Sequence, residues 1–125
     1  MINKEDANIL IVDDIEDNRY TLERRLKRDG YKNIFSAEGG KVALDMASKN
    51  RFDLILLDLM MPDMSGLEVL KHLKGDPLQR TIPVIMVTAS DEVETAAECI
   101  INGADDFITK PFNGTLLKAR VGASL

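Results

Sequence analysis

Three aspartates, a threonine and a lysine each stand at the end of a short apolar run. Asp13 and Asp14 follow Ile9-Leu10-Ile11-Val12, and Asp58 follows Leu54-Ile55-Leu56-Leu57. Thr88 follows Val84-Ile85-Met86-Val87, and Lys110 follows Phe107-Ile108-Thr109 and precedes Pro111. In a parallel α/β sheet the carboxyl ends of the strands share one edge, and ligands bind outside it. On such an edge three carboxylates, a hydroxyl and an ammonium would converge. Neighbouring carboxylates repel one another and favour whatever neutralises them. A hard divalent cation does so, and Mg²⁺ (or Mn²⁺) is held by one or two carboxylates plus waters and phosphate oxygens. Asp14 and Asp58 are the best candidate ligands, with Asp13 close by or acting through water. The backbone carbonyl of Met60 is the further protein donor, because a thioether is a poor ligand for Mg²⁺. With its charge screened, one carboxylate can attack phosphorus and form an aspartyl-phosphate. Asp58 is the candidate nucleophile because it ends the central run. Lys110 and the metal would stabilise charge on the transferring group, and the Thr88 hydroxyl would donate to a phosphoryl oxygen.

The elements that must position these residues are legible as an alternation. Candidate strands cover 8–12, 33–36, 53–57, 83–87 and 105–108. They are short and apolar on both faces, as in a sheet covered on both sides. The segments 16–29, 40–49, 65–74, 91–102 and 113–124 read as helices. Their apolar stripes are Tyr20, Leu22 and Leu26; Val42, Ala43, Met46 and Ala47; Gly66, Leu67, Leu70 and Leu73; Val93, Ala97, Ile100 and Ala104; and Leu116, Leu117 and Val121. Gly30 and Gly103 serve as helix stops, and Ser65, Ser90 and Asn113 as N-caps. Five β-α units with right-handed crossovers give a doubly wound, five-stranded parallel α/β sheet in the order 2-1-3-4-5, with helices on both faces. Strands 1 and 3 are then neighbours at the switch point, which brings Asp13, Asp14 and Asp58 together.

Bulk composition narrows the function classes. A chain of 125 residues, 45% hydrophobic and 30% charged, is normally one domain with one real core. The net charge of −5 opposes a nucleic-acid-binding surface, which needs a basic footprint. No apolar run exceeds four residues and the N-terminus lacks the stretch of a secretory signal, so neither a membrane span nor export is expected. A single cysteine, Cys99, excludes an intrachain disulfide and fits a cytoplasmic setting.

Four stretches together carry a family resemblance: Ile11-Val12-Asp13-Asp14, Asp58-Leu59-Met60-Met61-Pro62-Asp63-Met64-Ser65-Gly66, Val87-Thr88-Ala89, and Gly103-Ala104-Asp105-Asp106-Phe107-Ile108-Thr109-Lys110-Pro111-Phe112. In this order and at these intervals the chain resembles the CheY-like receiver domain of two-component response regulators over essentially its whole length. The resemblance implies a flavodoxin-like fold and a phosphoryl group accepted on Asp58 from a sensor histidine kinase or phosphotransfer protein. Asp13, Asp14, Asp58 and the Met60 carbonyl would form the Mg²⁺ site, while Thr88 and Lys110 would contact the phosphoryl group. Phe107 matches the family's switch aromatic, and a cis peptide is implied at Lys110–Pro111, the kind of bond for which cis is accessible. The face built by 91–102, 105–108 and 113–124 would change on phosphorylation and bind a partner or a second receiver, with Asp105, Asp106, Lys118 and Arg120 as its charged candidates. Apolar Met60, where some relatives carry a polar residue, predicts a long-lived phosphoryl state.

Other classes fit less well. A Mg²⁺-dependent phosphohydrolase would want a second acidic residue two positions after Asp58, where Met60 stands, and a cap segment for its substrate. A flavin-binding domain would want a Ser/Thr/Gly-rich loop after the first strand. A receiver-like module that no longer takes phosphate is at odds with the intact acidic set. His72 falls off the apolar face of its helix, Cys99 reads as a small core hydrophobe, and Arg24-Arg25-Leu26-Lys27-Arg28 reads as a solvated face. Asp63 and Asp6 read as surface residues. Residues 1–125 are expected to be one receiver domain, with any effector domain outside them, acting as a switch and not as an enzyme with an external substrate.

Overall fold

A computed structural model describes residues 2–125. The chain alternates strand and helix throughout: β1 (Asn8–Val12), α1 (Glu16–Arg28), β2 (Asn33–Ala37), α2 (Gly40–Lys49), β3 (Leu54–Asp58), α3 (Gly66–Gly75), β4 (Val84–Ala89), α4 (Val93–Ile101), β5 (Asp106–Lys110) and α5 (Gly114–Ser124). All strand pairs are parallel, in the order β2-β1-β3-β4-β5. The chain steps outward from β1 to β2 and then back across β1 to β3. The helix α1 that precedes the reversal therefore falls on one face and the crossover helices α2, α3 and α4 on the other, with α5 returning to the face of α1, and the switch point lies between β1 and β3.

The two-residue period of each strand sorts its side chains between two cores. Leu10, Val12, Ile55, Leu57, Val84 and Met86 pack with α2, α3 and α4 through Ala43, Ala47, Val69, Leu70, Leu73 and Cys99. Ile9, Ile11, Leu54, Leu56, Ile85 and Val87 pack on the other face with Leu22 and Leu26 of α1 and Leu117 and Val121 of α5. The central strand β3 is buried at every position, including Asp58. This double coverage is why the central strands are continuously apolar and not alternating.

Several expected boundaries move. β3, β4 and β5 end on Asp58, on Ala89 beyond Thr88 and on Lys110, so the three chemical residues belong to the strands and do not follow them. The register explains it: Asp58 pairs with Val87, Thr88 with Thr109 and Ala89 with Lys110. The ladder bonds backbone to backbone and accepts polar side chains at its end. Ser65 and Asn113 cap α3 and α5 by accepting from the amides of Glu68 and Leu116. Ser90 does not cap α4, which starts later, with Glu92 in the N-cap position and no side-chain cap. The α4 stripe is also rotated. Ala96 and Cys99 face the core, while Ala97 is exposed and Val93, Ile100 and Ile101 point outward, Ile101 at 85% exposure. Tyr20, Val42 and Leu116 are likewise exposed. Gly30 and Gly103 adopt φ of 105° and 110° at the ends of α1 and α4, as stops should. No helix among the described residues is long and apolar enough to cross a membrane.

One close approach links the fold to its reactive edge. The Gly66 amide donates to the Leu59 carbonyl at 2.7 Å. A Cβ at Gly66 would overlap the Asp58 carbonyl and stand 2.9 Å from the Leu59 Cα. Gly66→Ala is therefore expected to lower stability by about 1–3 kcal/mol, as overpacking against backbone does. At Gly75 a Cβ meets nothing within 4 Å, so Gly75→Ala should be neutral or slightly stabilising. Urea midpoints of the two variants check this pair.

Candidate functional site

Asp13 leaves β1 where the sheet turns into the α1 loop. Its amide donates to the Ala37 carbonyl of β2 at 3.1 Å, and Arg19 donates to its carbonyl at 2.7 Å. Its Oδ1 accepts from the Ile15 amide at 2.9 Å and from Asn18 at 3.5 Å. Its Oδ2 accepts from Lys110 Nζ at 3.2 Å. The same ammonium donates to Asp58 Oδ1 at 3.1 Å. Lys110 thus bridges the ends of β1 and β3 from the end of β5. Asp14 is half-buried beside them, and one carboxylate oxygen from each of Asp13, Asp14 and Asp58 lies within 4.8 Å of the others.

The electrostatics follow from this crowding. Asp13 is 1% exposed and Asp58 5%, and Lys110 is the cation that forms ion pairs with them. One ammonium faces three carboxylates. Burial and then the charge of Asp13 push Asp58 up to about 6, against the hydrogen bond and charge of Lys110, with Asp14 adding to the rise. Burial works to lower Lys110, but its hydrogen bond to Asp58 and the charges of Asp58 and Asp13 outweigh it and hold the ammonium above its ordinary value. The three hard oxygen donors therefore form a pocket short of positive charge, and the donor set fits a divalent cation.

Thr88 is fully buried, one residue beyond the β4 partner of Asp58, and its Oγ1 has no hydrogen-bond partner among the described residues. A buried hydroxyl without a partner costs about 1–3 kcal/mol, so an acceptor brought within its reach would be stabilised. Met60 follows the strand and is 62% exposed. Phe107 is half-buried against the α2–α4 core. Arg120 of α5 donates to the Phe107 carbonyl, bridges Asp106 at 3.3 Å and holds its guanidinium 6.0 Å from the Phe107 ring. The Lys110–Pro111 peptide is cis. His72 is exposed and away from the cluster, and Cys99 is buried with its thiol raised by burial and Glu98.

Sequence reasoning missed three contributors. Asn18 and Arg19 hold Asp13 from the first turn of α1, and a polar pair one turn after an acidic loop was the available signal. Asp63, read as a surface residue, is exposed but accepts from the amides of Gly40 and Lys41 at the start of α2. Arg25 also departs from the reading of its basic cluster as solvated: its Nε is buried, and its guanidinium lies against Gly114 of α5.

Asp58 gives a signed pH dependence. Its pKa in the fold, about 6, exceeds the ordinary 3.8, so the folded state holds this proton more tightly than the unfolded chain does. The associated stability is fully present below the ordinary value and is lost as pH rises through the folded one. At pH 7.5 without divalent cations, Asp58→Asn should raise stability by roughly 1–3 kcal/mol. The gain should shrink as pH falls from 6 toward 4. Denaturant titrations of both proteins across that range check the sign.

The family model described as the response regulator receiver domain matches residues 9–122. The chain is 45% identical over 115 residues to the response regulator PleD of Caulobacter vibrioides, covering 92% of this chain and 25% of that protein. It therefore spans about a quarter of that relative's length. Chemotaxis protein CheY-3 of Vibrio cholerae is 35% identical over 121 residues, covering 97% of this chain and 92% of that one. The solved structure of Vibrio cholerae chemotaxis protein CheY4 superposes with a TM-score of 0.87 at 33% identity, covering 95% of this chain and 98% of the other. Sequence, strand order and the acidic edge agree, and the chain belongs to the response regulator receiver domain family.

Proposed function

We propose that Asp58 is the phospho-acceptor and that a histidine kinase or phosphotransfer protein is its donor. The observation that carries this reading is the Asp13–Asp14–Asp58 cluster, buried but for half-buried Asp14, with Lys110 bridging two of its carboxylates. Asp13, Asp14, Asp58 and the Met60 carbonyl would hold Mg²⁺ (or Mn²⁺), with no second protein cation required. When bound, the metal supplies charge neutralisation for the acceptor and for the phosphoryl oxygens. The remaining work falls to the chain. An Asp58 carboxylate oxygen forms the new bond to phosphorus as the donor's bond to phosphorus breaks, and the electron pair leaves with the donor. Lys110 releases part of its bond to Asp58 and offers its ammonium to the transferred group. The unpartnered Thr88 hydroxyl gains the acceptor it lacks.

That gain connects the site to the output face. Thr88 pairs with Thr109 on β5, two residues from Phe107, and Arg120 fastens Phe107 and Asp106 to α5. A shift of Thr88 toward phosphate opens space beneath Phe107 and loosens that fastening. Such a local charge event biases a two-state element. The face of α4, β5 and α5 presents Val93, Ile101 and Leu116 to solvent, which supports a role in binding a second receiver or a downstream effector. The domain works as a switch whose chemistry is its own phosphorylation and dephosphorylation.

Intact mass after incubation with a small acyl phosphate tests the reading. A single phosphoryl adduct that requires Mg²⁺ and is absent in Asp58→Asn is the expected result; an adduct that persists in Asp58→Asn moves the acceptor elsewhere. Lys110→Ala should uncouple labelling from changes in amide exchange across α4, β5 and α5. Met60→Asn should shorten the lifetime of the phosphoryl group several-fold, because a polar side chain there can place the hydrolytic water. An unchanged lifetime would contradict the role given to Met60.

A further inference from the structure

The loop between Asp58 and α3 is anchored at both ends by backbone. Leu59 donates to the Val87 carbonyl at 3.1 Å, and its own carbonyl accepts from Gly66 at 2.7 Å. Between those anchors the chain bulges outward through exposed Met60 and Pro62. Its midpoint is tied down by Asp63, whose Oδ1 and Oδ2 accept from the Gly40 and Lys41 amides at 3.2 and 3.1 Å. The N-cap residue of α2, Gly39, has no side chain to do this itself. Helix N-termini carry orphan amides that a carboxylate satisfies well. The α2 cap is therefore supplied by a residue 23 positions away.

The space at Gly39 is shaped by that arrangement. Its φ of −171° and ψ of 175° are extended backbone open to any residue. Yet a Cβ there would stand 2.9 Å from Asp63 Oδ1, so a local capping side chain would have to displace the Asp63 carboxylate from its place. The neighbouring Gly40 receives the Met64 side chain, which a Cβ would meet at 2.9 Å. The segment that Asp63 grips also touches the other acidic loop, since Ala37, two residues before Gly39, accepts the Asp13 amide at 3.1 Å. Residues 37–41 thus tie the loop carrying Asp13 and Asp14 to the loop carrying Met60.

We propose that Asp63 is a positioning residue for the metal and phosphoryl site: by capping α2 in place of Gly39 it fixes the Met60 carbonyl relative to Asp13 and Asp14. This rests on the reading of Met60 as a metal donor. Asp63 touches no reacting atom and acts through the loop. Its carboxyl is held below the usual range chiefly by the Lys41 amide; burial opposes this, and the amides of Gly40, Asp63 and Met64 add to the lowering.

Calorimetric titration of Mg²⁺ into the phosphate-free protein tests this, beside thermal unfolding without metal. Asp63→Ala should weaken Mg²⁺ binding about tenfold, in the range seen when groups supporting metal ligands are lost, and lower Tm. Adding Gly39→Ser to Asp63→Ala restores a local cap in the space vacated; it should recover part of the Tm and leave Mg²⁺ binding weak. Asp63→Asn, which keeps one acceptor oxygen, carries the same comparison if Asp63→Ala does not fold. Unchanged Mg²⁺ affinity in Asp63→Ala, or an affinity that recovers in step with Tm in the double variant, overturns the proposal. Wild-type protein that binds no Mg²⁺ overturns both the proposal and the reading beneath it. Where wild type binds Mg²⁺ and Asp14→Asn does not, the reading of the metal site stands, and an unchanged Asp63→Ala overturns this proposal alone.

Discussion

The structure depends on like charges held together out of water. Asp13 and Asp58 are almost fully buried, Asp14 is beside them, and Lys110 is the ammonium that joins the first two. Two unit charges a few ångströms apart interact far more strongly under a protein surface than in water, so this arrangement opposes folding unless a proton or a cation offsets it. The fold supplies the opposing term through its two apolar cores on either face of the sheet. Stability gathered across the sheet is what allows an unfavourable edge to persist, and that edge is where the chemistry lies.

The register of the sheet translates this constraint into geometry. Because β1 and β3 are neighbours at the switch point, the carboxylates after Val12 and Leu57 come side by side without any long-range loop. Because Asp58 pairs with Val87, the next residue of β4 is Thr88, and because Thr88 pairs with Thr109, the next of β5 is Lys110. The Asp58 carboxylate, the Thr88 hydroxyl and the Lys110 ammonium thus step across three adjacent strands. The same register places Phe107 on β5, where Arg120 joins it to α5.

Much of this was legible from apolar runs that end in polar residues. Strand order followed from the alternation of elements and from the handedness of crossovers, and the carboxylates came together as a consequence. What resisted reading has physical causes. The strands run on through Asp58, Thr88 and Lys110 because ladder pairing uses backbone groups, which side-chain polarity does not report. On α4, hydropathy favoured Val93 and Ile100, but the helix turns its small residues Ala96 and Cys99 to the core and leaves the larger ones outside. Asp63 looked like a solvated charge because its partners, the first amides of α2, are distant in sequence. The unpartnered Thr88 hydroxyl is a property of packing, visible only once its surroundings are in place.

The central claim is that burying these carboxylates beside one another disfavours the charged form of Asp58 and that a divalent cation offsets this cost. The most direct measurement is the titration of the Asp58 side-chain carboxyl by carbon NMR, with and without Mg²⁺. The account predicts a midpoint near the value of about 6 without metal and a marked fall when Mg²⁺ is present. A midpoint at the ordinary carboxylate value that does not respond to Mg²⁺ would contradict it.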